Sequence, residues 1–434
     1  MLTNRKVGLI AALAVLPLAL AACGGADSDD GAASDATTLK LWHYEGADSA
    51  MGKAWDESIK VFEAEHEGVT VEFEQKAFEQ IQQTAGMVLS SDEGPDIMEY
   101  NKGNATAGLL ASQGLLTDLS DEAASRGWDD KLAESLQTTA RYDENGVMGS
   151  GSWYGVPNYG EFVTVYYNKD MFAAAGVEVP TSLAEFTAVM DTFVADGITP
   201  LAMAGAEYPA GQLYYELAMA KADRSFIDNY QTYKEPVDFQ ADPLKFGAET
   251  FDQWVKAGYM ASDSASLKAE DAGLSFISGT SPIFVSGSWW YGRFATDITD
   301  ADWGIFNFPG NEFNAGSSGN LWVVPENSKA KDLAYDFIDI TMRPEIQAIL
   351  GNNGGLPVAA EPTDITDPKS QELITAFNEV LDNDGLAFYP DWPVPGYYDV
   401  LVSAFQSSIN QSTDPAGVLD QLGTAYDDGV ANIG

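Results

Sequence analysis

Cysteine is almost missing from this chain of 434 residues, Cys23 being the only one. A single thiol excludes an internal disulfide and a thiolate metal site. Histidine is nearly as scarce: His43 and His66 are the only two, and no motif has metal-ligand spacing. Basic residues number 22 against 66 acidic ones, a net charge of −44. Nucleic acids and anionic membrane surfaces are held by basic patches, so this balance argues against both as partners. Outside the stretch 7–20 there is no uncharged run of membrane-spanning length, and that stretch is itself shorter than the roughly 20 residues a span needs. No serine has glycine two before and two after it, which removes the nucleophile elbow. Gly149-Ser150-Gly151 lacks the strand–turn–helix setting of a phosphate loop. Asp382-Asn383-Asp384-Gly385 begins like a calcium loop without the later ligands, and a helix-ending turn is favoured there. No cofactor and no metal are expected. A carboxylate pair for glycoside hydrolysis stays open among so many acids, although nothing singles one out.

What is present starts at the N-terminus. Arg5 and Lys6 precede the apolar stretch, which closes on Leu20-Ala21-Ala22-Cys23 and Gly24-Gly25. A basic start, a short apolar run and small residues before the cut mark an export signal. Leu-Ala-Ala-Cys resembles the bacterial lipobox, in which the cysteine thiol receives diacylglycerol and becomes the new N-terminus. The expectation is a signal peptide over 1–22, a lipid on Cys23, and a flexible tether over 23–37 with nothing to bury. Lipid then holds the chain on the extracellular face of the cell membrane without a spanning helix. The alternative is a buried cysteine beside an ordinary cleavage site.

Beyond the tether, strands at 39–44, 69–73 and 96–100 alternate with helices at 52–65 and 78–89. This order predicts an α/β fold with a largely parallel sheet. The pattern restarts after 150, with strands at 162–167, 200–203, 283–285, 304–306 and 321–324. Helices are predicted over 182–196, where Ser182 and Glu185 form a capping box, and over 212–222, 243–257 and 330–342. Three late helices follow near 370–382, 398–410 and 415–430. Two such units with a strand-rich middle predict two lobes facing each other across a cleft. Aromatics make up 12% of the residues, with ten Trp and nineteen Tyr, several beside Gly, Pro and acids. That combination suits sugars. The C–H face of a pyranose stacks on an aromatic ring, and its hydroxyls need carboxylate and amide partners.

Four motifs stand in order: Gly94-Pro95-Asp96-Ile97; Tyr154-Gly155-Val156-Pro157 followed by Tyr166-Tyr167-Asn168-Lys169-Asp170-Met171-Phe172; Phe284-Val285-Ser286-Gly287-Ser288-Trp289; and Gly355-Leu356-Pro357-Val358. Over about 38–430 the chain resembles the family 1 extracellular solute-binding proteins, the sugar receptors of ABC importers. The resemblance implies a two-lobe periplasmic-binding-protein type II fold. It places 38–158 and 310–357 in the first lobe and 159–309 and 358–434 in the second. Crossings are expected near 158–160, 308–310 and 357–359. It also implies a monomer that carries an oligosaccharide, plant-derived or malto-type, to a membrane permease and is not an enzyme. A glycoside hydrolase or lyase, or the same fold with a non-sugar solute, is the alternative.

Carried over by position, the resemblance marks Trp42 as a stacking ring, against a core Trp, and Glu45 as a hydroxyl acceptor, against a solvated acid. Tyr100 stands where the maltose receptors have a Trp, with Asn101 beside it. Glu161 matches a carboxylate at the first crossing, and Glu207 and Tyr208 an acidic–aromatic pair. Trp289 is the expected sugar-stacking ring, with Trp290 next to it. Asn320 or Trp322 is expected to face the cleft, and Trp392 to border it. Asp96 reads as a structural cap. The basic contacts of the maltose receptors have no clear counterpart, since Gly103 and Asn104 fall there, which puts maltose itself in doubt.

Overall fold

A computed structural model describes residues 37–433 apart from positions 92, 133 and 361. The expected signal peptide, the lipid site at Cys23 and nearly all of the tether therefore lie outside the described residues. The first sheet runs Thr70–Gln75, Thr38–His43, Ile97–Tyr100, Leu321–Val323, Val156–Pro157. Its first three strands are parallel, as the β-α-β-α-β order predicts, and Leu321–Val323 enters antiparallel between two strands from far earlier in the chain. The helix Ala50–Glu65 starts where the Ser49 hydroxyl accepts the Gly52 N–H at 2.9 Å. It buries Trp55 and Phe62 against Trp322 and Phe337. The helices Lys331–Thr341 and Pro344–Asn352 pack against it.

The second sheet runs Trp303–Phe306, Glu161–Asn168, Ile283–Gly287, Leu201–Ala202, and Gly316–Ser317 pairs with the start of Glu161–Asn168. Burial on both faces of Glu161–Asn168 explains why it reads as a nearly continuous apolar run. Leu183–Ala195 begins at the expected Ser182 cap, but the capping box is incomplete, because Glu185 passes over the Ser182 N–H to the residue before it. Ser182 Oγ accepts the Glu185 N–H at 3.3 Å, while Glu185 Oε2 takes the Thr181 N–H at 2.8 Å. Pro209–Met219, Leu244–Ala257, Tyr397–Ile409 and Pro415–Val430 form one packed group, and Pro368–Asp382 lies on Trp303–Phe306. The short helices Lys169–Ala175, Arg224–Thr232 and Ala269–Ile277 were not predicted, because each is too brief for its periodicity to stand out.

The chain passes between sheets at 158–160, where a strand of one ends at Pro157 and a strand of the other begins at Glu161. The second passage differs from the expectation of 308–310. Residues 307–317 stay with the second sheet, because Phe308 packs edge-on against Phe186 and Gly316–Ser317 pairs with Glu161–Asn168. The crossing falls at 318–320 instead. A third passage lies between Asn352 and Pro368, near the bridge from Gly160 to Leu356. Asp96 is structural, accepting from Lys40 N at 3.0 Å and Ser328 Oγ at 2.8 Å.

Trp322 is fully buried, with its ring 5.2 Å from Trp55 and 5.6 Å from Phe337, so it is a core residue and does not face a cleft. Trp322→Ala is expected to cost about 3–5 kcal/mol in urea unfolding, the usual cost of deleting a buried indole.

Candidate functional site

Parallel sheets present their loops at the carboxyl ends of the strands, and a cavity opens there. Thr38–His43 ends by delivering Tyr44 and Glu45, and Ile97–Tyr100 by delivering Asn101 and Lys102. The helix Phe78–Leu89 adds Phe78 and Glu79 from its first turn. Opposite stand Tyr208 and Gln212 at the start of Pro209–Met219, Trp289 in the turn after Ile283–Gly287, and Tyr389, Asp391, Trp392 and Tyr398. Tyr159, Glu161 and Asn320 form the floor at the two crossings. The cavity holds about 220 Å3.

The floor is an ion pair with satisfied neighbours. Lys102 Nζ bonds Glu161 Oε1, and the two side chains are only 3% and 4% exposed. Lys102 Nζ also donates to Asn320 Oδ1 at 3.2 Å, Tyr159 OH donates to Glu161 Oε2 at 3.2 Å, and Asn320 Nδ2 donates to Tyr159 OH at 2.7 Å. Lys102 lies 5.4 Å from the Trp392 ring and 5.5 Å from that of Tyr389. Trp392 is itself pressed onto Gly103. That residue has φ +100°, and a Cβ there would come within 2.6 Å of the indole, so glycine is required on both counts.

On the opposite wall, Tyr208 OH accepts from Trp289 Nε1 at 3.2 Å and from Trp290 Nε1 at 3.3 Å. Trp289 lies across Gly287, where any side chain would collide with the ring. Its indole is thus held from two sides where it lines the cavity. The oxygen of Tyr44 and Oε1 of Gln212 are buried without a partner among the described residues. Such groups are costly unless something bonds them.

Burial also sets the charges. It pushes the Glu45 carboxyl up to about 7, with nearby Glu161 adding to the rise and the Ser49 hydroxyl opposing it. Burial raises Asp391 to about 6, and Lys102 opposes this. Glu99, behind the cavity and bonded by Asn158 Nδ2 at 2.8 Å, is driven up by burial and by Glu45. The phenols of Tyr44, Tyr159, Tyr208 and Tyr389 are raised by burial and stay neutral. The wall therefore offers neutral donors beside strong acceptors.

Residues 46–348 match the bacterial extracellular solute-binding proteins. The chain belongs to that family. The diacetylchitobiose binding protein DasA of Streptomyces coelicolor is 29% identical over 436 residues, covering 96% of this chain and 97% of its own length. Two solved structures share the two-lobe fold. A chitin oligosaccharide binding protein superposes at TM-score 0.79 and 22% identity, covering 92% of this chain and 100% of its own. RafE in complex with raffinose superposes at TM-score 0.73 and 19% identity, covering 90% and 99%.

In this solute-binding protein, Glu45, Asn101, Glu161, Tyr208, Trp289, Asn320 and Trp392 of the expected set converge on the one cavity. Tyr100 borders an adjoining one. Four expected residues serve elsewhere. Trp42 still belongs to its strand and lies under Lys76 Nζ at 4.3 Å, because that strand continues to His43 and its loop begins at Tyr44. Glu207 accepts the Ala269 N–H at 2.8 Å at the start of Ala269–Ile277 and pairs with Lys268 at 3.2 Å. Trp290 turns inward onto Phe294 and Gly273, and Trp322 fills the core described above. Sequence reasoning missed Tyr44, Phe78, Glu79, Lys102, Tyr159, Gln212, Tyr389, Asp391 and Tyr398. The one available signal was position at the end of a parallel strand or the start of a helix, and for Lys102 it pointed to a basic residue where none was expected.

The raised Glu45 has a sign that can be tested. Its folded-state value of about 7 lies above the ordinary 4.5, so the folded state holds the proton more tightly and stability falls as pH rises between those values. Urea unfolding at pH 5 and pH 8 should show Glu45→Gln gaining, relative to the parent chain, on the order of 1 kcal/mol or more at the higher pH.

Proposed function

We propose that this chain is a lipid-anchored receptor that binds an oligosaccharide between its lobes and delivers it to a membrane permease. The observation that carries this reading is the alternation around one cavity of aromatic rings (Tyr44, Phe78, Trp289, Tyr389, Trp392) with acceptors and amides (Glu45, Asn101, Gln212, Asn320). A pyranose presents the matching surface, an apolar face for a ring and a rim of hydroxyls for the polar groups. The relative that binds diacetylchitobiose, aligned along nearly its whole length, supports a sugar ligand and is a reason to test N-acetylated oligosaccharides first. Contacts from both walls stabilise a closed arrangement more than an open one, so the ligand shifts the population toward closure about the crossings. No turnover is part of this reading.

The test is a thermal-shift and calorimetric panel of chito-, xylo-, cello- and malto-oligosaccharides with amino acids as controls. The midpoint should rise with the logarithm of one sugar's concentration and with no amino acid. Trp289→Ala should weaken that sugar by ~10-fold or more with the fold intact. Unchanged affinity would remove Trp289 from the site, and product formation on incubation would replace the receptor with a hydrolase. Anchoring rests on the Leu-Ala-Ala-Cys motif alone. Cys23→Ser should move the protein from the membrane fraction into the medium, and retention in the membrane would overturn the anchor.

A further inference from the structure

Glu99, in the strand Ile97–Tyr100 behind the cavity, is 0% exposed, and so is Asn158 in the first crossing. One bond joins them, from Asn158 Nδ2 to Glu99 Oε1 at 2.8 Å. The second oxygen of each, Glu99 Oε2 and Asn158 Oδ1, is buried and has no partner among the described residues. An ionised carboxylate and an amide oxygen only accept, so two acceptors on bonded groups are left without a donor. A proton on Glu99 supplies one. Reversing the amide gives the same answer, because Asn158 Oδ1 would then stand 2.8 Å from Glu99 Oε1, a contact between two acceptors that also needs a proton. We propose that Glu99 is a positioning residue that works in its protonated form, with Oε2–H donating to Asn158 Oδ1 while Oε1 accepts from Asn158 Nδ2, and that this acid–amide pair fixes the first crossing for ligand binding. The pair stands by itself; its part in binding rests on the receptor reading.

Asn158 ties the passages between the sheets together. Its N–H donates to the Asn320 carbonyl in the second crossing at 3.1 Å, and its carbonyl accepts from Gln347 Nε2 at 3.1 Å. Gln347 Oε1 in turn accepts the Val358 N–H of the third passage at 2.8 Å. A carboxylate left unprotonated beside Asn158 would have no cation to hold it, because Lys102, the only buried one among the described residues, is bonded to Glu161. The surroundings favour the proton. Burial drives the Glu99 carboxyl well above its ordinary 4.5, Glu45 in the neighbouring loop adds to the rise, and Asn158 and Lys102 oppose it. Tyr44 and Tyr159 also face Glu99, with phenols raised by burial. The paired strand Thr38–His43 ends in His43, which burial lowers to about 3 and keeps neutral.

Because the folded state holds this proton above the ordinary 4.5, the stability it contributes is present at low pH and is lost as pH rises through the folded-state value. Glutamine reproduces the protonated acid at every pH, with Nε2 as donor and Oε1 as acceptor. Glu99→Gln should therefore fold, and urea unfolding should show its folding constant, relative to the parent's, rising by about 10-fold or more between pH 5 and pH 9. The infrared difference between parent and variant at pH 6 should contain a protonated carboxyl band. Binding is followed by calorimetry with chito-, xylo-, cello- and malto-oligosaccharides in chains carrying Glu45→Gln, which removes a wall acid that titrates over the same range. From pH 6 to pH 9 affinity should fall about 3-fold further in that chain than in one that also carries Glu99→Gln. A Glu99→Gln chain that does not fold, a stability ratio that ignores pH, or a missing carboxyl band overturns the pair. A ratio that moves while the affinities do not overturns its part in binding. Binding of no sugar overturns the receptor reading, and the unfolding and infrared results still decide the pair.

Discussion

Lys102 and Glu161 come from different sheets, and their buried contact at the crossings holds the floor of the cleft in register. Neither charge has water to fall back on, so separating them would leave an unpaired ion at a cost of several kcal/mol. Asn320, Tyr159 and Ser317 complete the arrangement, each arriving from a crossing or from the strand paired to Glu161. The pair consumes the charge of Lys102. The floor is therefore a closed polar network, and open hydrogen-bonding capacity is left on the walls, at Tyr44 and Gln212. Because Lys102 also lies beside the Tyr389 and Trp392 rings, the same contact sets the position of two aromatic surfaces.

The walls carry their acids in an unusual state for so negative a chain. Burial raises Glu45 and Asp391 above the ordinary carboxylate range, which lowers the negative charge on the walls without abolishing it. The phenols nearby keep their protons. An anion would find Lys102, the only buried cation among the described residues, already paired.

Much of the architecture was legible because helical and strand periods are properties of neighbouring residues. The alternation from 39 to 100, the Ser182 cap and the helices near 398–410 and 415–430 all follow from local pattern. Side-chain destination was less legible. Trp289 and Trp290 are adjacent and chemically identical, yet one faces the cavity and the other the core, a choice made by Gly287, Gly273 and the shared Tyr208 hydroxyl. Trp42 and Tyr44 differ by two places, and only the true end of the strand at His43 decides which leaves the sheet. Lys102 looks like a solvated lysine until Glu161, 59 residues later, is brought to it.

Leu321–Val323 occupies the interior of the first sheet, bonded on one side to Ile97–Tyr100 and on the other to Val156–Pro157. The strand that joins those two segments is thus made long after both. Until it arrives, each presents an unpaired edge, and the first sheet cannot close as a freestanding N-terminal piece. Pairings of such sequence separation form slowly, since a large loop must be ordered before any contact repays it. The first sheet is therefore completed only when Leu321–Val323 takes its place between strands that precede it by more than 150 residues.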